Sequence, residues 1–146
     1  MAVILVSNCL LGFNCRYKGD NCRNEDILRL AENNILIGIC PEQQGGLMTP
    51  RVPAERVGDK VISAEGLDVT KQYECGAATA LSLAELNRVD FAIMKSLSPS
   101  CGKGIIYDGT FTGTKCCGNG TTTELLLKNG IRVYSDNELE LIPELK

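Results

Sequence analysis

The sequence predicts an α/β fold: a small three-layer wound domain with a mainly parallel sheet of about four strands and helices on both faces. Two observations predict it. Short apolar, β-branched runs recur at Val3-Ile4-Leu5-Val6, Ile35-Leu36-Ile37-Gly38-Ile39 and Phe91-Ala92-Ile93-Met94, and each reads as a buried strand. Helix-like segments separate these runs, so the strands are expected to be parallel. A third observation bears on use. A cysteine follows each run: Cys9, Cys40 and, a few residues farther on, Cys101. Parallel strands end along one edge of a sheet, where open α/β folds bind ligands. The three thiols are therefore expected to meet at one spot.

The elements follow in order. Ala2 to Val6 is the first strand, and a loop rich in Gly and Asn runs from Asn8 to Cys22. Asn24 caps a helix through about Glu32, with Ile27, Leu28, Leu30 and Ala31 as its apolar face. After the second strand comes a long connection, Pro41 to about Asp68, punctuated by Pro41, Pro50 and Pro53. It holds a hairpin, with Glu55-Arg56-Val57 and Lys60-Val61-Ile62 flanking a Gly58-Asp59 turn. A connection of that length in a compact domain is usually functional. Thr70 opens the longest helix, to about Asn87, with Tyr73, Ala77, Leu81 and Ala84 on one face. Cys75, in mid-helix, reads as core. Phe91 to Lys95 is the third strand, and a second glycine-rich loop spans Ser98 to Gly120. A helix from Thr121 to Asn129 stops at Gly130, which suits a left-handed C′ position. Ile131 to Tyr134 is the fourth strand, and Ser135 begins a short helix or turn. No repeat or linker interrupts the chain, so residues 1–146 read as a single domain.

Composition excludes several classes. The chain has 146 residues, enough to bury a core, and a net charge of −3. With a pI of about 5.0 and no basic stretch, nucleic acid is not an expected partner. No apolar run is long enough for a membrane span. The first apolar run lacks the positive flank of a signal peptide. Eight cysteines would pair as disulfides in a secreted chain. Without a secretion signal, reduced thiols in a cytoplasmic protein are the better reading. There is no histidine, which excludes Ser-His and Cys-His pairs and every His-containing metal site. Proton transfer must come from Asp, Glu, Lys, Tyr, a thiol, a hydroxyl or water.

Soft thiolates select iron–sulfur clusters or zinc. Structural zinc sites usually close with four ligands and show close-spaced pairs. Cys9, Cys40 and Cys101 have no such pairing, and three ligands leave one metal position open.

The motifs around these cysteines are specific in their order. They are Val6-Ser7-Asn8-Cys9-Leu10-Leu11-Gly12, Cys15-Arg16-Tyr17-Lys18-Gly19, Cys40-Pro41-Glu42-Gln43, Gly45-Gly46-Leu47, Thr49-Pro50-Arg51, Pro53-Ala54-Glu55, Ser98-Pro99-Ser100-Cys101-Gly102 and Tyr107-Asp108-Gly109-Thr110-Phe111. The chain closely resembles, over nearly its whole length, the short bacterial and archaeal family known as domain of unknown function 523. That broader family includes the thiouracil desulfidases.

The resemblance implies a desulfidase built on a [4Fe-4S] cluster, with three irons held by cysteine and one iron open to the substrate's sulfur. Carried over, the ligands fall on Cys9, Cys40 and Cys101, the same three that the strand argument selects. Cys15 also matches a family motif but receives no ligand role. Cys22, Cys116 and Cys117 depart from the family pattern and leave open an extra metal site or a storage role. The plain reading of a cysteine after an apolar run is a small core residue. Three of them at three strand ends, together with the resemblance, favour the site. Cys116 and Cys117 read as surface or half-buried thiols, while Cys15 and Cys22 either flank the site or fill the loop.

Two residues are expected to assist catalysis. Glu42, two positions after Cys40, is a proton shuttle or water-activating base. Its plain reading is an exposed carboxylate paired with Arg51. Ser100 precedes a proposed ligand and is expected to hydrogen-bond a substrate or a cluster sulfur. Its plain reading, shared with Ser98, is a cap on the turn around Pro99. Ser7 has the same ambiguity beside Cys9. Arg16 and Arg51 either bind a polar substrate edge or are surface charge. Gly45, Gly46 and Gly102 serve backbone geometry and close approach.

Some matches fail. Gly109 to Lys115 is one residue short of a phosphate loop, and no G-x-G-x-x-G follows a strand. Asp59 and Asp108 sit in glycine turns for turn reasons alone. The expected function is removal of sulfur from a small thiolated compound, thiouracil-like, by non-redox hydrolysis that releases sulfide. The alternative is a non-catalytic iron–sulfur or zinc-binding carrier or storage protein. A thiol redox protein is weakened by the missing C-x-x-C. Either a monomer or a homodimer is compatible with the sequence.

Overall fold

The computed structural model describes residues 1–146. Along the chain run β1 (Val3–Ser7), α1 (Glu25–Arg29), β2 (Ile35–Ile39), α2 (Pro41–Gln44), β3 (Ala54–Val57), β4 (Lys60–Ser63), α3 (Thr70–Leu86), β5 (Phe91–Met94), β6 (Ile105–Tyr107), β7 (Lys115–Cys117), α4 (Thr121–Lys128) and β8 (Val133–Ser135). Short 3₁₀ turns lie at Asn8–Leu11, Leu30–Glu32, Leu139–Leu141 and Pro143–Leu145.

The predicted α/β architecture is what the chain adopts. β2, β1, β5 and β8 form one sheet in that order, and every pairing in it is parallel. The strand period of two sorts the core into two layers. Ile4, Val6, Phe91 and Ile93 face the layer that holds Ile27 and Ile142. Leu5, Ala92 and Met94 face the layer that holds Ala80, Ala84 and Leu126. The first layer is roofed by α1 and the 3₁₀ turns, the second by α3 and α4. Burying a side chain such as Phe91 or Ile4 stabilises the fold by about 1.5–3 kcal/mol each. No helix is long and apolar enough to cross a membrane.

Local chemistry sets the element ends. The Asn24 side chain accepts hydrogen bonds from the Asp26 and Ile27 amides, at 3.0 and 3.2 Å, so the expected cap is present. The Leu30–Glu32 segment tightens into a 3₁₀ turn, which swings Ala31 out to solvent instead of leaving it on the apolar face. The hairpin forms as β3 and β4 around Gly58 and Asp59.

Four expectations need correction. Cys75 is exposed. It lies about 200° around the helix from Tyr73, on the far side from the buried stripe of Tyr73, Ala77, Ala80 and Ala84. β2 is an edge strand, and Ile35 is 43% exposed, so that run is half-buried rather than buried. The fourth strand starts two residues late, at Val133. The second glycine-rich loop contains an antiparallel ribbon, β6–β7, which carries Cys116 and Cys117.

One close approach matters for the site. A Cβ on Gly76 of α3 would lie 1.8 Å from the Pro41 carbonyl oxygen, and one on Gly45 would lie 2.0 Å from that of Gln72. Only glycine at both points lets α2 lie directly against α3. That contact carries the residues after Cys40 over Tyr73.

Candidate active site

A cavity of about 410 Å³ opens at the carboxyl ends of β1, β2 and β5. The chain moves from β1 to β2 on one side of the sheet and later returns to add β5 on the other. The cavity therefore sits at the point where the strand order reverses, the usual ligand position in an open α/β sheet. Cys9 enters from the turn after β1. Cys40 enters between β2 and α2, and Cys101 from the turn at Ser98–Gly102. All three are buried and line the cavity, and so does Cys15. The three thiols expected to meet thus border one cavity, with a fourth beside them.

These thiols are electrostatically coupled. Cys15 hydrogen-bonds the thiols of Cys40 and Cys9, and the Cys40 thiol also donates to the Cys15 carbonyl at 3.7 Å. The bond to Cys40 favours the Cys15 thiolate, but the bond to Cys9 and burial outweigh it and raise that thiol to about 11. The bond to Cys15 and then burial hold Cys40 far above the usual thiol range. Burial pushes the Cys101 thiol up to about 12, although hydrogen bonds from Ser7 and Ser100 work against the rise. Without a metal the Cys15, Cys40 and Cys101 thiols stay protonated, so binding one would release protons.

The donor set consists of soft sulfur only, which fits an iron–sulfur cluster. No three Cys, Asp or Glu side chains gather tightly enough to hold a single metal ion.

Glu42 stands over this cavity on α2. It is not the exposed carboxylate of the plain reading, since its side chain is 16% exposed and that of Arg51 is 8% exposed. Its Oε1 accepts from Arg51 Nε at 3.1 Å and from the Tyr73 hydroxyl at 2.6 Å. Oε2 has no partner within the protein. Arg51 spends its other donors on the Cys15 and Met48 carbonyls and the Thr49 hydroxyl. It is a clamp rather than a substrate-binding cation. Burial, and then the charge of Glu42, hold the Tyr73 hydroxyl well above the usual phenol range. Tyr73 therefore remains a proton donor to the carboxylate.

Ser100 departs from expectation. It is fully buried and does not line the cavity. Its hydroxyl meets that of Thr122 at 2.9 Å. One residue of offset from Cys101 turns it to the back of the turn, where it ties the turn to α4 instead of facing a substrate. Ser98 lines the cavity and caps the turn, accepting from the Ser100 and Cys101 amides at 3.1 and 2.9 Å. Ser7 also lines the cavity, and its hydroxyl contacts the Met94 sulfur and the Lys95 amide. Arg16 lines the cavity while pairing with Asp20 at 3.3 Å. Cys22 packs against the first core layer. Cys75, Cys116 and Cys117 are exposed and lie off the cavity.

Sequence reasoning did not identify Tyr73 as a site residue. The available signal was a tyrosine in an otherwise apolar helix stripe, whose buried hydroxyl requires a partner.

A family model described as 2-thiouracil desulfurase matches residues 4–138. The uncharacterized protein YbbK of Bacillus subtilis (strain 168) is 44% identical over 147 residues, covering 94% of this chain and 97% of its own. Among solved structures, a [4Fe-4S]-dependent thiouracil desulfidase, TudS, superposes with a TM-score of 0.89 at 42% identity, over 99% of this chain and 97% of that one. Three sulfur donors at three parallel strand ends, in a chain this similar throughout, lead to one assignment: the chain belongs to the 2-thiouracil desulfurase family.

Proposed function

We propose that this protein is a [4Fe-4S]-dependent desulfidase, acting as one domain, that converts a small thiolated compound such as thiouracil to its oxygen analogue. The observation that carries the reading is the convergence of three strand-end thiols on one cavity beside a clamped carboxylate. The similarity to a thiouracil desulfidase supports it.

In this reading Cys9, Cys40 and Cys101 hold the cluster as thiolates. When bound, the cluster supplies a soft Lewis acid that polarises a thiocarbonyl sulfur. The protein does the rest. Arg51 and Tyr73 fix Glu42 through Oε1 and leave Oε2 free. Glu42 Oε2 takes one proton of the water that adds to the thiocarbonyl carbon and passes it to the departing sulfur, and the adduct's remaining hydroxyl proton follows by the same carboxylate as the carbonyl forms. The balance is thiocarbonyl plus water giving carbonyl plus hydrogen sulfide, with no electrons gained or lost. Ser98 holds the turn that carries Cys101, and Ser100 backs that turn through Thr122.

Reconstituted protein incubated anaerobically with 2- or 4-thiouracil is expected to release sulfide and uracil over many turnovers while retaining its iron. The carrier alternative predicts loss of iron to an apo-acceptor. Ready loss of iron, with no sulfide from a panel of thiolated bases, nucleosides and thioamides, would reject the desulfidase reading.

A further inference from the structure

We propose that Glu55 is a positioning residue for substrate recognition. It fixes the turn that carries Phe111 as an outer wall of the cavity, where a flat thiolated heteroaromatic ring stacks. The identity of that ring rests on the desulfidase reading.

Glu55 lies on β3 and lines the cavity. Its Oε1 accepts from the Gly109 amide at 3.0 Å and the Phe111 amide at 3.1 Å. A carboxylate holding two amides makes charge-assisted bonds, stronger than neutral ones. Both amides belong to the turn between β6 and β7. Phe111 has φ +57°, a left-handed conformation that a bulky residue keeps only when its surroundings impose it. Gly109 seats the turn on the hairpin, since a Cβ there would lie 2.8 Å from the Arg56 carbonyl oxygen. The hydroxyls of Thr110, Thr112 and Thr114 link at 2.6 and 2.8 Å and give the turn its own shape.

The turn is thus shaped by its threonines and held in place by Glu55. Phe111 lines the cavity together with Tyr107 and Tyr17. It remains 38% exposed, so part of its ring is left uncovered by the chain. An aromatic ring offered at a cavity mouth is a stacking surface for a planar base. Glu55 acts through Phe111 and takes no part in proton transfer.

The test uses the cluster-loaded protein, with 2-thiouracil for kinetics and uracil as a non-reacting probe of binding. Phe111→Ala and Glu55→Ala are each expected to raise KM and the uracil Kd about tenfold, the scale of a lost base–aromatic stack, with kcat and iron content little changed. Glu55→Gln keeps an acceptor and is expected to restore most of the affinity. Because one residue acts through the other, the double alanine variant should bind no worse than Phe111→Ala. An unchanged Kd in Glu55→Ala, additive losses in the double variant, or a fall in kcat at constant KM would each overturn the proposal. Hydrogen exchange reads the latch independently of the reaction. The Gly109 and Phe111 amides should exchange faster in Glu55→Ala and return toward wild type in Glu55→Gln, and no change overturns the latch. If the amides respond but the wild type binds neither ring, the ring assignment falls together with the desulfidase reading.

Discussion

The two ends of the cavity are built differently. At the inner end, Cys9, Cys40 and Cys101 follow strands of the central sheet, and none is more than 8% exposed. Their positions are set by the sheet, by the contact of α2 with α3, and by the Ser98 cap. At the outer end, the wall is made by two two-stranded ribbons, β3–β4 and β6–β7. Such ribbons are marginal alone. They depend on a few polar tethers: Glu55 to the Phe111 turn, and Arg56 to the Asn119 carbonyl at 2.6 Å and to Glu124 at 2.5 Å. The difference teaches that chemistry needing exact sulfur placement is anchored in the core. In the proposed reading, recognition of the substrate's shape is left to parts that can change without unfolding the sheet.

The largest test of that contrast is at the thiols. Replacing Cys9, Cys40 or Cys101 by Ala is expected to abolish cluster absorbance and sulfide release. Replacing Cys75, Cys116 or Cys117 by Ser should leave both intact, because these side chains lie outside the cavity. Loss of the cluster in an outer variant such as Cys116→Ser would erase the distinction between the two ends.

Next in size is Glu42→Gln. Iron content should persist while kcat falls roughly 10²-fold, the scale of a lost acid–base group. Turnover close to wild type would remove Glu42 from proton transfer.

How far these residues were legible in the sequence differs along the same line. Strands β1, β2 and β5 are apolar runs with cysteines placed after them, so both the sheet and the placing of the three thiols at one cavity follow from one-dimensional pattern. Glu42 could be singled out by its nearness to Cys40, and Arg51 as its partner, but its burial and its bond to Tyr73 could not. Tyr73 is thirty-one positions away, and that contact depends on two glycines that bring α2 onto α3. Ser100 turns away from the cavity, because proximity in sequence does not say which side of a turn a residue faces. The β6–β7 ribbon is not legible in the sequence, because three-residue strands carry too few positions to show a period. Cys75 was misplaced by its type, since cysteine is usually buried, although its helical angle pointed outward.

Tyr73→Phe is expected to have a smaller effect. It removes one hydrogen bond to a charged group and should cost about 1.5–3 kcal/mol, read as a lower denaturant midpoint at constant slope. A drop in kcat should accompany it, because Glu42 loses one of its two restraints. Lower stability with unchanged kcat would reduce Tyr73 to packing.

The smallest effect is expected at the outer tether. Arg56→Met should cost about 1 kcal/mol, because the Glu124 side of the pair is 44% exposed and screened by water. It should raise KM for the thiolated base while leaving iron content unchanged. Loss of iron in this variant would mean that the outer wall also supports the cluster end.

The most direct measurement is a turnover in ¹⁸O-labelled water, under anaerobic conditions and without a reductant, using protein that carries about four iron per chain. The expected result is one sulfide released for each uracil formed, with the new carbonyl oxygen drawn from the labelled water and the iron retained after many turnovers. A requirement for an electron donor, unlabelled uracil, or sulfide limited to what the cluster itself contains would contradict hydrolytic desulfuration at the three-thiol cavity.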